Sequence, residues 1–151
     1  MTENPRGSTL AIMEQIHATC IDIDGKGILL RGPSGSGKSD LALRLIDGGA
    51  RLVADDRTNL TLQDDVVIAT APDEIAGKME VWGLGVRSVD VLAQTPLALV
   101  ADLVNPSDVE RIPNPASVEL RGLSLPLIRL APFEASAPAK LRAALNFPNA
   151  V

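Results

Sequence analysis

The sequence is poor in aromatic residues and in positive charge. It has one Trp, two Phe and no Tyr among 151 residues, so aromatics make up only 2%. So few rings argue against the base-stacking surfaces of single-strand nucleic-acid binders. The 14 Lys and Arg are outnumbered by 19 Asp and Glu, which gives a net charge of −5. Because nucleic-acid binders need a basic footprint, we expect no nucleic-acid partner.

Cysteine and long apolar runs are also scarce. The single cysteine, Cys20, excludes an internal disulfide and a cysteine-based zinc site, and a lone thiol suits the reducing cytosol. No segment approaches the roughly 18 apolar residues of a membrane-spanning helix. The polar start of the chain has no apolar stretch behind a basic one, so it does not fit a signal peptide. We expect a cytoplasmic protein without a membrane partner.

The composition is sufficient for one folded domain. Hydrophobic residues make up 46% and charged residues 22%, which allows a core and argues against global disorder. We place the domain at residues 9–147, between a disordered tail over 1–8 and a second tail over 148–151. The strand and helix signals along it predict an α/β fold with more strand than a doubly wound sheet.

Turn signals divide the secondary-structure elements. Thr19–Ile23 and Ile28–Leu30 flank the turn Asp24-Gly25-Lys26-Gly27, which predicts a β-hairpin. Apolar residues at helical spacing predict a helix over 39–47, ended by Gly48-Gly49. The remaining pattern predicts a strand at 51–54, one or two strands within 60–69, strands at 79–82 and 97–103, two strands within 118–130 and a last helix at 140–145.

A glycine-rich loop carries the clearest chemical signal. The pattern G-x-x-x-x-G-K-[ST] is matched by Gly32-Pro33-Ser34-Gly35-Ser36-Gly37-Lys38-Ser39. The glycines let backbone N–H groups turn inward as an anion nest, and the following helix presents its positive end to phosphates. Lys38 supplies a cation for the β- and γ-phosphates, and Ser39 offers a hydroxyl to Mg²⁺. The preceding strand and following helix favour nucleotide binding over a plain glycine-rich turn.

Two adjacent carboxylates follow the next predicted strand. Asp56 lies 17 residues after Ser39, and Asp55 precedes it. A right-handed crossover predicts that this strand lies beside the one that feeds the loop, so both carboxylates would reach the ligand edge of the sheet. One can organise Mg²⁺ through water, and the other can accept a proton from an attacking hydroxyl. Because adjacent strand residues point to opposite faces, we expect different jobs for the two.

Two single residues are weaker candidates. His17, the only histidine, lies just before the hairpin and is expected near the loop, although a lone histidine is more commonly structural. Glu80 precedes Gly83-Leu84-Gly85, whose glycines allow close backbone approach. On its own, that segment is more typical of a strand followed by a turn.

These segments resemble the catalytic domain of the bacterial HPr kinase/phosphorylase family, in its minimal proteobacterial form. The resemblance runs from Ile16-His17 through the hairpin and the phosphate loop, and its most specific part is Leu52-Val53-Ala54-Asp55-Asp56. It is weaker around 80–86 and fades beyond Leu103. It implies a P-loop kinase core of the HPr kinase and phosphoenolpyruvate-carboxykinase type, with a mixed sheet and a hairpin preceding the phosphate loop.

The resemblance also implies cofactors and residue roles. ATP and Mg²⁺ would be bound, with the phosphates polarised by Lys38 and the metal contacted by Ser39 and Glu80. Asp56 would accept the proton in the kinase direction and return it in the reverse direction, supported by Asp55.

The implied substrate is a protein. Family members phosphorylate a seryl hydroxyl on HPr, a small phosphocarrier of the phosphotransferase system that regulates carbon metabolism, and they also remove that phosphate. By the same resemblance, His17 would lie beside the catalytic carboxylate and the transferred phosphate. The family forms homo-oligomers, typically hexamers, so an HPr-like partner and a homo-oligomer are expected.

The chain departs from the family pattern in two places. Trp82 stands where the Glu-x-Arg-Gly segment has Arg, and the late Arg-Pro-Gly-Arg-Asn stretch is absent, with Arg129 as a rough positional match. With fewer cations, we expect a kinase whose reverse activity is weak or absent. One alternative is a small-molecule kinase, although no Arg-rich lid stands out. Another is a nucleotide-sensing module with decayed chemistry, which Trp82 favours and the Asp55-Asp56 pair opposes.

Overall fold

In the computed structural model, the chain is described from residue 13 to residue 150, so the tail expected over residues 1–8 lies outside the described residues. The two helices are α1 (Lys38–Asp47) and α2 (Ala137–Asn146), and short 3-10 turns lie at Asp73–Ile75 and Pro106–Asp108. The strands are β1 (Glu14–Ile16), β2 (Ala18–Ile23), β3 (Lys26–Arg31), β4 (Arg51–Ala54), β5 (Thr58–Gln63), β6 (Val66–Thr70), β7 (Lys78–Val81), β8 (Gly85–Ser88), β9 (Gln94–Leu103), β10 (Ala116–Leu120) and β11 (Leu123–Leu130). Within residues 13–150, no helix has the length and apolar character needed to cross a membrane.

Nine of these strands form one curled, mixed sheet. Its main path runs β1-β5-β6-β9-β3-β2-β4, and β11 joins it through β9 and carries β10 at its other edge. The start of β9 pairs antiparallel with β6, whereas its end pairs parallel with β11. The sheet therefore changes partners along this long strand, which lets it curl. β7 and β8 form a separate two-stranded hairpin.

The position of β4 corrects one expectation from the sequence. The prediction that β4 lies beside β3 is wrong, because β2 pairs antiparallel with both strands and separates them. The tight turn at Asp24-Gly25 folds β2 onto one edge of β3, and β9 occupies the other edge in parallel. No edge of β3 is left for β4. Two antiparallel pairings in succession nevertheless make β4 run in the same direction as β3.

The core lies on both faces of the sheet. One face packs against the two helices and buries side chains that include Ile21, Ile28, Leu30, Leu41, Leu45 and Leu141. The other face is closed by the curl of the sheet and buries side chains that include Cys20, Leu29, Leu60, Val67 and Val100. Successive residues of β2 and β3 enter opposite clusters because strand side chains alternate. Burial, with a smaller contribution from Asp22, raises the pKa of the Cys20 thiol, so this cysteine stays protonated and unreactive.

The parallel strands end at one edge of the sheet. β3, β4, β9 and β11 all have their carboxyl ends there, because β9 and β11 run parallel to β3 and β4 shares that direction. β2 begins at the same edge, immediately after His17. The glycine-rich loop, the two carboxylates and the histidine are therefore brought together, at the place where open α/β sheets bind ligands.

Candidate active site

The glycine-rich loop connects β3 to α1 and encloses its own cation. Gly35 and Gly37 have φ angles of +82° and +99°, which only glycine adopts without strain. The side chain of Lys38 is only 4% exposed. Its Nζ donates to the carbonyl oxygens of Gly32 at 2.7 Å and Pro33 at 3.1 Å. The ammonium is thus fixed at the N-terminus of α1, where an anion is also favoured by the helix dipole.

Asp55 is buried and its carboxylate is held by three donors. Oδ1 accepts hydrogen bonds from the hydroxyls of Ser39 at 2.7 Å and Thr19 at 3.3 Å. Oδ2 accepts the backbone N–H of Glu80 at 3.2 Å. These contacts fix the carboxylate against the first turn of α1, beside the phosphate loop.

The Ser39–Asp55 pair fits the needs of Mg²⁺. This ion takes oxygen ligands, keeps several waters, and is usually bound through one or two carboxylates together with substrate phosphates. Among residues 13–150 there is no cluster of three or more His, Cys, Asp or Glu side chains that could hold a metal by themselves. A hydroxyl and a carboxylate beside a phosphate loop are the kind of donor set that becomes complete when a nucleotide binds.

Asp56 differs from Asp55 in being accessible to solvent and lying beside the cation of the loop. Its Oδ1 lies 2.7 Å from His17 Nε2 and 3.6 Å from Lys38 Nζ, and its side chain is 54% exposed. Its φ of +65° is left-handed, a conformation that Asp and Asn tolerate better than other side chains. Its N–H donates to the Thr19 hydroxyl at 2.9 Å. An accessible carboxylate between an imidazole and an ammonium can accept a proton from a bound hydroxyl.

A cleft of about 470 Å³ gathers most of the residues that the sequence singled out. Its lining includes Ser34, Gly35, Gly37, Lys38, Ser39, Asp55, Asp56, Glu80 and Trp82. The side chain of Glu80 is exposed at this cleft, and Trp82 is 97% exposed at its rim. Arg129 is exposed on β11 and does not line the cleft, so the structure does not bring it into the site.

Two residues that shape this region were missed by the sequence reasoning. Thr19 is fully buried in β2 and contacts both carboxylate residues, and its only signal was a polar side chain in an apolar strand. Arg44 of α1 donates to the carbonyl oxygens of Pro132 and Glu134, which lie 88 and 90 residues further along the sequence. Its spacing from Asp40 predicts only an exposed ion pair along the helix.

Thr19→Val should destabilise the protein by about 1–3 kcal/mol, since it leaves hydrogen-bonding groups of both Asp55 and Asp56 without their partner. Valine keeps the shape of threonine, so the loss reports the hydroxyl rather than a cavity. Urea denaturation would measure it. Thr19→Ser, which keeps the hydroxyl, should preserve the orientation of the two carboxylates. Equal stability of Thr19→Val and wild type would show that these hydrogen bonds contribute nothing to folding.

The chain was compared with known families and structures. Residues 8–113 match the sequence profile of the family described as HPr Serine kinase C-terminal domain. The HPr kinase/phosphorylase of Limosilactobacillus reuteri is 37% identical over 97 residues, and that of Bacillus velezensis is 44% identical over 86 residues. These alignments cover 64% and 56% of this chain. In the solved structures, the Hpr(Ser) kinase/phosphatase from Coxiella burnetii matches with a TM-score of 0.77 and 26% identity, covering 87% of this chain and 88% of that one.

The family assignment rests on the fold and on the sequence together. The chain spans about 30% of the length of the curated relatives it matches. The matched region nevertheless contains the hairpin, the phosphate loop, both carboxylates and Glu80. The α/β fold with its curled, mixed sheet is similar to that of the Coxiella burnetii structure. The chain belongs to the HPr serine kinase C-terminal domain family.

Proposed function

We propose that this chain is an ATP- and Mg²⁺-dependent protein-serine kinase that acts on an HPr-like phosphocarrier protein. The observation that carries the proposal is the position of Asp56, whose carboxylate lies between His17 and Lys38 in the cleft of the phosphate loop. The names of the relatives, HPr kinase/phosphorylase and Hpr(Ser) kinase/phosphatase, support the same activity. We place the catalytic domain at residues 9–147, with a core of the HPr kinase and phosphoenolpyruvate-carboxykinase type.

The phosphate loop and the Ser39–Asp55 pair bind and orient the nucleotide. The Lys38 ammonium and backbone N–H groups of the loop would receive the β- and γ-phosphates. Ser39 and Asp55 would hold Mg²⁺, with the exposed side chain of Glu80, which lines the same cleft, as a second contact. When bound, the metal neutralises charge on the phosphate oxygens. Phosphoryl transfer depends mostly on such positioning and charge stabilisation.

Asp56 acts as the general base. The seryl oxygen of the carrier attacks the γ-phosphorus, the bond to the β-phosphate oxygen breaks, and the seryl proton passes to the Asp56 carboxylate. His17, 2.7 Å away, orients that carboxylate. Lys38 stabilises the negative charge that develops on the β-phosphate of the departing ADP. Asp55, which is held in place by three hydrogen-bond donors, is left to the metal, so the two carboxylates have separate tasks.

One labelling experiment separates this function from its alternatives. The protein would be incubated with γ-labelled ATP, Mg²⁺ and a panel of HPr-type carriers and small metabolites. Label on a carrier serine supports the proposal. Label on a metabolite indicates a small-molecule kinase, and ATP binding without transfer indicates a nucleotide-sensing module. The resemblance further suggests a cytosolic homo-oligomer in carbon-metabolism regulation, and light scattering would measure the oligomeric state.

The reverse reaction should run far below the forward rate. Holding free phosphate beside a phosphoseryl group needs several cations, and the family's Arg position is occupied by Trp82. The assay measures pyrophosphate release from phosphorylated carrier in millimolar phosphate. Reverse turnover comparable to forward turnover would refute this prediction.

Trp82→Arg should raise the reverse activity. The side chain is exposed at the cleft rim, so a guanidinium fits there without repacking. A charge-assisted hydrogen bond contributes about 1.5–3 kcal/mol, so the reverse rate should rise about tenfold or more. Leu84→Arg is the matched control, because it adds the same charge to an exposed position of the same turn outside the cleft lining. An equal gain in both variants would indicate a general charge effect instead.

A further inference from the structure

A second cleft, of about 550 Å³, lies against the other side of the phosphate loop. Its walls are residues 33–36 of the loop, residues 103–106 and 108 at and after the end of β9, and residues 131–134 after β11. Lys38, Ser39, Asp55 and Asp56 line the first cleft and not this one. The second cleft therefore shares the phosphate loop with the catalytic side but lacks the groups that perform the chemistry.

Phe133 forms the boundary between the two clefts and lies directly on the loop. Its side chain lines both clefts and is 69% exposed. A Cβ atom placed on Gly37 would lie only 2.9 Å from Cζ of this ring, so only glycine at 37 allows the ring to rest there. An exposed aromatic ring in this position, beside a phosphate loop, can stack on a planar base.

The backbone on both sides of Phe133 is fixed to α1. The Arg44 guanidinium donates to the carbonyl oxygens of Pro132 and of Glu134, the latter at 3.1 Å. Asp40 in turn accepts from Arg44 Nε at 3.1 Å. The backbone that carries the ring is thus positioned before a ligand arrives, which lowers the entropy cost of binding.

The direction of a bound nucleotide leads from the first cleft to the second. Transfer to a hydroxyl beside Asp56 requires the γ-phosphate to face the first cleft, with the β-phosphate in the loop. The nucleoside of the bound nucleotide then extends to the other side of the loop, where the second cleft lies. This cleft also contains Asn105 and Asp108, whose amide and carboxylate can pair with the ring nitrogens and the amino group of a purine.

We propose that the second cleft is the nucleoside subsite of this protein, and that the purine base stacks on Phe133. The inference rests on the proposed nucleotide-binding function and deepens it. Phe133 would act as a binding residue for the base, and Arg44 as the positioning residue that holds it in place. The phosphates would be held independently by the loop and Lys38.

Calorimetric titration with Mg-ATP and with Mg-tripolyphosphate, which has phosphates and no base, tests the subsite. Stacking on an aromatic side chain contributes about 1–3 kcal/mol per base, so Phe133→Ala should weaken ATP binding about 5- to 150-fold. Its affinity for tripolyphosphate should equal that of wild type. Phe133→Trp should retain ATP affinity, whereas Phe133→Leu, apolar but not planar, should lose it.

Phe147→Ala is the matched control, because it removes the other phenylalanine, which is 73% exposed at the end of α2 and lines neither cleft. It should bind both ligands as wild type does. Equal loss of ATP and tripolyphosphate affinity in Phe133→Ala, or no loss of either, would overturn the subsite. If wild type binds tripolyphosphate and ATP equally well, the base has no subsite and the inference is also wrong. If wild type binds neither ligand, the proposed function itself fails.

Discussion

Asp56→Asn is expected to lower phosphoryl transfer by about 10²-fold or more, the usual scale for loss of a general base. The amide has nearly the shape of the carboxylate but cannot accept the seryl proton. Asn also tolerates the left-handed conformation of residue 56, so the backbone after β4 should remain in place. ATP binding should stay close to that of wild type, because Asp56 contacts His17 and Lys38 rather than the backbone of the phosphate loop. Single-turnover transfer and ATP titration would measure the two effects separately.

Asp55→Asn is the paired variant and should behave differently. It replaces the carboxylate that accepts the Ser39 hydroxyl with a neutral amide, which binds Mg²⁺ less well. The Mg²⁺ concentration needed for half-maximal activity should therefore rise. In Asp56→Asn that concentration should be unchanged. Equal and mild losses in both variants would show that the carboxylate pair is structural, and would remove the general base from the proposed mechanism.

Local signals predicted much of the fold because they act over a few residues. The helix expected over 39–47 is confirmed as α1, with Gly49 in the left-handed conformation just beyond it. The segment 60–69, for which the sequence predicts one or two strands, contains two, β5 and β6, joined by a turn at Asp64-Asp65. In these cases, turn residues and apolar periodicity determine the element without help from distant parts of the chain.

Strand order could not be predicted in the same way. Crossover handedness favours placing β4 next to β3, and it takes no account of a strand that precedes the loop. Here β2 precedes β3 in the sequence and pairs with the edge of β3 that β4 would need. β4 therefore pairs with β2 instead. The carboxylates still reach the loop, because direction is preserved across two antiparallel pairings. The position of the carboxylates beside the loop was therefore predicted correctly, and the strand pairing that produces it was not.

The supporting residues were hidden for a related reason. Thr19 bonds to Asp55 across 36 residues, and Arg44 reaches Glu134 across 90 residues. Neither contact leaves a pattern in the local sequence. Phe133 lies in the region where the family resemblance had faded, and only the fold shows that its ring rests on Gly37. Motifs identified the groups to which we assign the chemistry, whereas the groups that hold them in position required the tertiary structure.

Lys38→Ala is expected to abolish turnover and to weaken nucleotide binding strongly. Lys38 is the buried cation of the phosphate loop, fixed by the carbonyls of Gly32 and Pro33 and 3.6 Å from Asp56. Loss of a charge-assisted hydrogen bond costs about 1.5–3 kcal/mol, which corresponds to about ten- to hundredfold in Kd. The same charge stabilises the departing phosphate, so the transfer step should lose a further factor of about 10² or more.

The control for this variant is Lys26→Ala, because Lys26 is exposed at the opposite end of β3 and should leave binding and turnover unchanged. Binding of Mg-ATP and of Mg-tripolyphosphate should fall together in Lys38→Ala, since the ammonium contacts phosphates and not the base. This outcome differs from the one expected for Phe133→Ala, in which only ATP binding falls. The two variants therefore separate the contribution of the phosphate loop from that of the second cleft. Lys38→Ala with wild-type ATP affinity and turnover would show that the loop binds no nucleotide phosphate, and the proposed kinase activity would fail with it.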